Sequence, residues 1–213
     1  MDYILEVLPN LLKGAGVTVH LFVLVLVLSI PLGVVLAFLQ RIAFKPLQWF
    51  LQVYVLVMRG TPLLLQLIFV YYVLPSVGIT FDRMTAAIIA FTLNYGAYFA
   101  EIFRGGIEAI PAGQYEAAKV LKLSSFQTVR YIVLPQVIKI VLPSIFNEVI
   151  TLVKDTALVY ALGVGDLLLA SRTAANRDAS LAPMFIAGAI YLLMIGVVTL
   201  VSKKVEQRYN YYR

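Results

Sequence analysis

The sequence predicts an all-α integral membrane protein, and two observations support that prediction. Of its 213 residues, 62% are apolar and only 13% are charged, whereas soluble domains carry roughly a quarter charged residues. The apolar residues also fall in runs long enough to cross a hydrocarbon core about 30 Å thick, which takes about 20 residues of helix. The same composition excludes a disordered chain, because so much apolar surface must be buried.

Five of these runs are predicted to span the membrane. They cover residues 17–39, 47–74, 84–103, 131–153 and 182–201. A shorter apolar run, 157–170, contains Asp166 directly after two glycines, Gly163 and Gly165, and is interpreted as an interfacial or re-entrant segment. A cleaved signal peptide is the alternative for the first run. Its acidic leader, with Asp2 and Glu6, and the lack of a small-residue cleavage site after Leu39 favour a retained span.

The basic residues predict how the chain is oriented, because cytoplasmic loops carry an excess of lysine and arginine. With the N-terminus outside, most basic residues fall in inner segments, including residues 105–130 and the C-terminal tail. We therefore expect an outside N-terminus and a cytoplasmic C-terminus. The net charge of +6 then belongs to cytoplasmic segments, and nucleic-acid binding is not expected.

Composition also limits the chemistry that the chain can perform. It has no cysteine and one histidine, so thiolate metal sites are excluded and few histidine-based ones are possible. No phosphate-binding loop of the form G-x-x-x-x-G-K-[ST] occurs, and the chain is not expected to hydrolyse ATP itself. We predict no cofactor and no metal site, and a membrane-embedded enzyme is disfavoured because no nucleophile pair is found.

The segment 105–130 contains the most informative local pattern. Pro111 suits the first turn of a helix, where its missing N–H group costs nothing. Ser124 followed by Gln127 is a capping-box pattern that starts the next helix. Between them we expect a short helix whose two adjacent alanines, 117–118, allow a partner to approach closely. A solvated loop helix without a partner explains the spacing equally well.

Polar residues inside the third predicted span form a second candidate site. Asn94, Tyr98 and Glu101 are spaced so that they share one helix face. A charged group in the bilayer costs about 3 kcal/mol or more, so an intramembrane acid is a functional candidate by default. The alternative is that Glu101 lies at the cytoplasmic end of its helix and pairs with Arg104 in the next turn.

The second and fourth predicted spans also carry polar residues. Arg59 and Gln66 are seven residues apart and are predicted to share a helix face, in a run that Arg59, Gly60 and Pro62 interrupt. Arg59 is interpreted as structural or gating, with extension to the cytoplasmic interface as the alternative, and Gln66 is interpreted as lining. Polar residues of the fourth span keep to about one stripe. They are Asn147, Thr151, Lys154 and Asp155. With Thr156, Asp155 offers a carboxylate, a hydroxyl and backbone dipoles at a helix end, a combination that suits a zwitterion.

Several short motifs follow one another along the chain. They are Arg59-Gly60-Thr61-Pro62, Glu101-Ile102-Phe103-Arg104-Gly105-Gly106-Ile107, Pro111-Ala112-Gly113-Gln114, Glu116-Ala117-Ala118, Ile132-Val133-Leu134-Pro135-Gln136, Asn147-Glu148 and Lys154-Asp155-Thr156-Ala157-Leu158. In order and spacing they resemble the permease subunits of ATP-binding-cassette (ABC) importers, in the branch that carries polar amino acids. Glu116-Ala117-Ala118 takes the place of the EAA loop of that family. The resemblance covers about residues 12–204.

The resemblance implies a type I ABC importer permease fold in the plasma (inner) membrane, with residues 1–213 as one transmembrane domain. It implies that a cytoplasmic coupling segment of about 105–130 docks on a separate ATPase subunit, present in two copies. The expected docking residues are Gly113, Glu116, Ala117, Ala118, Lys119 and Lys122. Lys122 stands where the family usually has glycine, and lysine would lose roughly 1 kcal/mol in a positive-φ turn there.

The implied function is ATP-driven import of a polar, basic L-amino acid by alternating access, with a second permease copy or close homologue and an extracytoplasmic binding protein. The residues expected to bind the substrate are Glu101, Asn94, Tyr98, Gln66, Asn147, Asp155 and Thr156. The carboxylates of Glu101 and Asp155 favour a cationic substrate such as arginine, although both could bind the α-ammonium group of a neutral amino acid such as glutamine. An ATP-independent channel and the same fold carrying another solute are the further alternatives.

Overall fold

The computed structural model describes residues 2–42 and 44–209, and this part of the chain is helical without β-strands. Its α-helices are α1 (Asp2–Leu39), α2 (Lys45–Gly60), α3 (Leu63–Ile68), α4 (Arg83–Glu108), α5 (Ala112–Val120), α6 (Ser125–Thr128), α7 (Leu134–Asp155), α8 (Leu167–Arg177) and α9 (Ala182–Tyr209). Two π-helical turns, Phe69–Val73 and Val129–Val133, follow α3 and precede α7. Two 3₁₀ turns, Leu74–Val77 and Thr156–Leu162, complete the helical segments.

The lengths of the helices confirm the membrane spans. Within the described residues, four continuous helical segments are long and apolar enough to cross a membrane: Tyr3–Leu39, Arg83–Glu108, Ser125–Leu162 and Ala182–Tyr209. The helices α2 and α3, with the turns that follow α3, make the fifth when they count as one bent span. The first and fourth spans are longer than predicted, since polar residues near their ends continue the helix.

The second span is divided into two helical halves at the interruption seen in the sequence. Its two halves, Lys45–Gly60 and Leu63–Val77, are bent by 107°. Pro62 causes the break: it lacks an N–H group, and it forces the preceding Thr61 into an extended conformation with φ −115° and ψ 148°. The prediction that Arg59 and Gln66 share a helix face is therefore wrong, because it assumed continuous helical periodicity.

The segment 157–170 joins α7 to α8. Its first residues belong to the 3₁₀ turn that continues α7, and the chain then turns at Gly163, whose φ is +71°. Asp166 is fully buried and caps α8 by accepting hydrogen bonds from the N–H groups of Leu168 and Leu169. The α8 helix packs against α1 and α9. The interfacial or re-entrant placement of this segment stays a prediction.

The packing of α1 against α4 forms the centre of the fold. Leu21 of α1 and Phe91 and Phe99 of α4 are completely buried in one apolar cluster. The backbones approach so closely that a Cβ atom at Gly33 would overlap the Cβ of Phe99. This close contact requires glycine. It fixes the position of α4, which carries residues of both polar cavities described below.

Candidate functional site

Two polar cavities lie next to each other at the break between α2 and α3. The first, of about 590 Å³, lies between the break, α4 and α7; we call it the acidic cavity. Its polar lining includes Asn94, Tyr95, Tyr98, Glu148, Thr151 and Asp155. The second, of about 630 Å³, lies towards the end of α4; we call it the arginine cavity. Its polar lining includes Gln40, Arg41, Gln48, Glu101, Arg104 and Glu108. Arg59 and Gly60 line both cavities.

Side-chain amides hold the break that separates the two cavities. The last carbonyl groups of a helix have no partner within the helix. At the end of α2, the Met58 carbonyl accepts hydrogen bonds from Gln66 Nε2 at 2.9 Å and from Asn94 Nδ2 at 2.8 Å. Gln66 Nε2 also donates to Thr61 Oγ1 at 2.8 Å, and Asn94 Nδ2 donates to Gln66 Oε1 at 3.0 Å. These bonds tie Arg59 and Gly60 to α4.

The acidic cavity receives two carboxylates from one face of α7. Glu148, Thr151 and Asp155 are three, four and seven residues apart, so they form one stripe along the helix. Asp155 Oδ2 accepts a hydrogen bond of 2.8 Å from the Tyr95 hydroxyl. Within residues 2–42 and 44–209, no lysine or arginine nitrogen lies within 4.0 Å of either carboxylate. The protein thus presents two acids to this cavity without a cation bound to them.

The charges in the arginine cavity are paired with one another. Arg104 binds Glu101 through two parallel hydrogen bonds of 2.8 Å and binds Glu108 at 2.7 and 2.8 Å. Arg59 Nη1 lies 3.4 Å from Glu101 Oε2, and its guanidinium carbon lies 5.2 Å from the centroid of the Tyr98 ring. The pairing of Glu101 with Arg104, the alternative that the sequence left open, is confirmed.

The structure brings together only some of the residues predicted to bind substrate. Asn94, Tyr98 and Asp155 line the acidic cavity. Glu101 lines the neighbouring arginine cavity instead.

The other three predicted residues line neither cavity. Gln66 bonds across the break, and Asn147 is exposed elsewhere on α7. Thr156 is fully buried, and its hydroxyl donates to the carbonyl of Val153 at 2.6 Å. The exposure of Asn147 depends on how α7 is rotated about its axis, whereas Gln66 lies on α3 and Thr156 lies in the 3₁₀ turn that follows α7.

Two residues of the acidic cavity were missed from the sequence. Glu148 is seven residues before Asp155, and the spacing rule that grouped Asn94 with Glu101 would have found it. Tyr95 could not be found this way, because its role depends on the approach of α7 to α4. Among the described residues, no group of three histidine, cysteine, aspartate or glutamate side chains is placed to hold a metal ion.

The predicted short helix of the coupling segment is present as α5. It begins one residue after Pro111, and the predicted capping box follows it: Ser124 and Gln127 exchange both hydrogen bonds at the start of α6. The two alanines differ, because Ala118 is buried against the protein while Ala117 is exposed. The remaining predicted docking residues are exposed. They are Gly113, Glu116, Lys119 and Lys122.

Lys122 stands where the family usually has glycine, and it adopts the positive φ that glycine would favour. Its φ is 53°, and it closes α5 in a Schellman arrangement. The N–H of Lys122 donates to the carbonyl of Lys119 at 2.9 Å, and the N–H of Leu123 donates to that of Ala118 at 3.0 Å. The turn is therefore built as a glycine would build it, with the strain tolerated.

Comparison with known proteins supports the resemblance drawn from the motifs. Residues 29–211 match the family described as binding-protein-dependent transport system inner membrane component. The chain is 38% identical over 203 residues to the arginine transport system permease protein ArtQ of Bacillus subtilis (strain 168), covering 94% of this chain and 93% of that protein. It is 33% identical over 212 residues to the putative glutamine transport system permease protein GlnP of Rickettsia felis (strain ATCC VR-1525 / URRWXCal2), covering 97% of each.

One solved structure is described as the crystal structure of an amino acid ABC transporter with histidines. The present chain is 32% identical to a chain of that structure, and the two superpose over 97% of each with a TM-score of 0.90. A chain of the MetNI methionine ABC transporter, at 20% identity and a TM-score of 0.77, shares the fold. Proteins of this kind are membrane permeases and not enzymes, and ATP hydrolysis takes place on a separate subunit. The chain belongs to the family of binding-protein-dependent transport system inner membrane components and is the permease subunit of an amino acid ABC importer.

Proposed function

We propose that this permease imports a basic L-amino acid and that the acidic cavity binds it during transport. The observation that carries the proposal is the pair Asp155 and Glu148, two carboxylates that face one cavity without an ion pair to any described cation. An intramembrane acid is expensive unless a partner offsets its charge. A substrate with a cationic side chain supplies that partner each time it is bound.

The rest of the lining suits the zwitterionic part of an amino acid. The guanidinium of Arg59 lines the same cavity and can hold the α-carboxylate through paired hydrogen bonds. Its ring contact with Tyr98 and its ion pair with Glu101 hold it at the border of the cavity. A basic amino acid then places its carboxylate at Arg59 and its two cationic groups towards Asp155 and Glu148.

A neutral substrate such as glutamine is the second candidate, and the similarity to the putative glutamine permease favours it. In that case one carboxylate binds the α-ammonium group and the other accepts a hydrogen bond from the side-chain amide. The two candidates differ in what the complex responds to. Arginine, lysine, histidine and glutamine should be compared, each with its binding protein, as stimulators of ATP hydrolysis and as competitors of uptake in proteoliposomes. Stimulation and competition by glutamine but by none of the cationic amino acids would contradict the basic-substrate proposal.

For the assembly, we propose that the chain forms one transmembrane domain with its C-terminus in the cytoplasm and that two permease chains, identical or closely related, contact two ATPase subunits. The coupling segment of about 105–130 supports this arrangement, because α5 is short and exposes most of its surface. In alternating access, closure of the ATPase subunits moves α5, and the helices around the cavities exchange inward-open for outward-open states. An amino-acid-binding protein delivers the substrate on the outer side.

The docking of α5 is tested by a bulky charge on its exposed side. Replacing Ala117→Arg should reduce copurification of the ATPase and ATP-dependent uptake while membrane insertion stays normal. Thr173→Arg on α8 is the matched control, because Thr173 is exposed on a helix that lies outside the coupling segment. Normal copurification and uptake with Ala117→Arg would contradict the docking proposal.

A further inference from the structure

A third cavity, of about 540 Å³, lies between the start of α7 and the end of α9. Its lining includes Arg130, Tyr131, Leu134, Lys139, Arg208 and Tyr209, and we call it the basic cavity. No acidic side chain is among the described residues that line it. It is separate from the acidic and arginine cavities, with which it shares no lining residue.

The charges of the basic cavity suit an anion with several oxygen atoms. The guanidinium groups of Arg130 and Arg208 line one cavity and repel each other, so a bound anion lowers their electrostatic energy. Arginine is the residue that binds phosphate groups through paired hydrogen bonds. The guanidinium carbon of Arg130 lies 6.0 Å from the centroid of the Tyr131 ring, which holds it at the rim. Tyr131 and Tyr209 flank the cavity with the amphipathic rings that are enriched at membrane interfaces.

An apolar crevice adjoins the basic cavity. It has a volume of about 110 Å³ and lies between α1, α4 and α7, lined by residues such as Val34, Phe38 and Phe103. Leu134 and Ile138 line both the crevice and the basic cavity. These two residues are one turn apart on α7, so they form a ridge with a polar space on one side and an apolar space on the other.

We propose that the basic cavity is a binding site for an anionic phospholipid. The phosphodiester group contacts Arg130 and Arg208, and an acyl chain lies along Leu134 and Ile138 into the apolar crevice. Free phosphate and a phospholipid headgroup would present the same anionic oxygens to the two arginines. The adjoining apolar crevice and the membrane-spanning helices on both sides favour a phospholipid over free phosphate. Basic pockets between membrane-spanning helices bind anionic headgroups in this way. The proposal does not depend on which amino acid is transported.

The test is a lipid titration of the purified permease–ATPase complex in detergent, followed by native mass spectrometry. Dioleoyl phosphatidylglycerol is compared with dioleoyl phosphatidylcholine on the parent and on the double variant Arg130→Gln/Arg208→Gln. The matched control is Lys203→Gln/Lys204→Gln, which removes two exposed cations from the same end of α9 that do not line the cavity. We expect roughly 30-fold weaker phosphatidylglycerol binding in the arginine variant, since each of the two basic residues contributes a factor of about five.

Several results would overturn the proposal. Equal phosphatidylglycerol affinity in the parent and the arginine variant would do so, and an equal loss in the lysine control would show diffuse attraction instead of a site. Inorganic phosphate that displaces the lipid at equal concentration would show an anion site without an acyl-chain contribution. Binding that appears only after the ATPase is removed would identify the cavity as a protein contact. Arg130→Lys/Arg208→Lys keeps both charges but loses the paired hydrogen bonds, so its affinity should lie between those of the parent and the glutamine variant, which separates charge loss from misfolding.

Discussion

Glu101 and Asp155 are both carboxylates within membrane-spanning helices, yet the protein surrounds them differently. Glu101 is bound by the guanidinium of Arg104 in its own helix and lies 3.4 Å from Arg59. Among the described residues, Asp155 accepts one hydrogen bond, from Tyr95, and shares its cavity with Glu148, which forms no ion pair there. We infer that an intramembrane acid is not by itself a substrate site. An acid whose charge is already offset stabilises the fold, whereas an acid that lacks a cation is available to a ligand.

The largest effect is expected from Asp155→Asn. The change keeps the hydrogen bond from Tyr95 but removes a charge-assisted contact, which contributes about 1.5–3 kcal/mol and corresponds to a roughly 10- to 150-fold weaker interaction. Arginine uptake by proteoliposomes should show this loss in apparent affinity, and glutamine uptake should lose much less. Glu6→Gln, an exposed acid of α1 outside both cavities, is the control. Equal losses for both amino acids would mean that Asp155 recognises only the common ammonium group.

Glu148→Gln tests whether the second carboxylate of the acidic cavity contributes to arginine uptake. Glu148 forms no hydrogen bond or ion pair with a described residue, so its replacement removes charge without breaking a contact of the fold. We expect about tenfold weaker arginine uptake, which equals about 1.4 kcal/mol, and an unchanged melting temperature of the purified complex. A lowered melting temperature with unchanged selectivity would assign Glu148 to stability instead.

A smaller effect is expected from Glu101→Gln. Arg104 keeps its bonds to Glu108, and a partly exposed ion pair contributes about 0–1 kcal/mol. Uptake should therefore change by less than about fivefold, and equally for arginine and glutamine. A selective loss of arginine uptake would contradict the distinction between Glu101 and Asp155, because Glu101 would then bind the cationic side chain directly, as its position on α4 first suggested.

Lys122→Gly should leave substrate selectivity unchanged, because Lys122 lies in the coupling segment and lines neither polar cavity. The positive φ at this residue costs lysine roughly 1 kcal/mol relative to glycine, so the variant should be slightly more stable in thermal unfolding of the detergent-purified complex. Lys122→Ala is the control, since alanine removes the charge and keeps the strained conformation. A change in arginine selectivity in either variant would show that the effects measured at the two cavities also depend on the coupling segment.

Local sequence rules predicted the parts of the fold that depend on neighbouring residues. The helix α5 and the capping box at Ser124 follow from residues within one or two turns of each other. The pairing of Glu101 with Arg104 is of the same kind, because the two residues are three apart on one helix. The positive φ at Lys122 was expected only from the family resemblance, which left open whether lysine would adopt it.

The acidic cavity could be predicted only in part, because its walls come from distant parts of the chain. The contact of Tyr95 with Asp155 joins residues 60 apart and depends on how α7 is rotated against α4. The same rotation exposes Asn147 and turns Glu148 to the cavity, which the polar stripe did not determine. Pro62 interrupts the second apolar run in the sequence, but the 107° bend also depends on the amides of Gln66 and Asn94, which hold the end of α2.

The most direct measurement is a cryo-EM structure of the inward-facing permease–ATPase complex with arginine bound. The cavity chemistry predicts ligand density in the acidic cavity, with the guanidinium or α-ammonium group about 3 Å from the Asp155 and Glu148 carboxylates and the α-carboxylate beside Arg59. The ion pair between Glu101 and Arg104 should stay intact. Arginine density against Glu101, with Arg104 displaced and the Asp155–Glu148 face empty, would contradict the assignment of the acidic cavity as the substrate site.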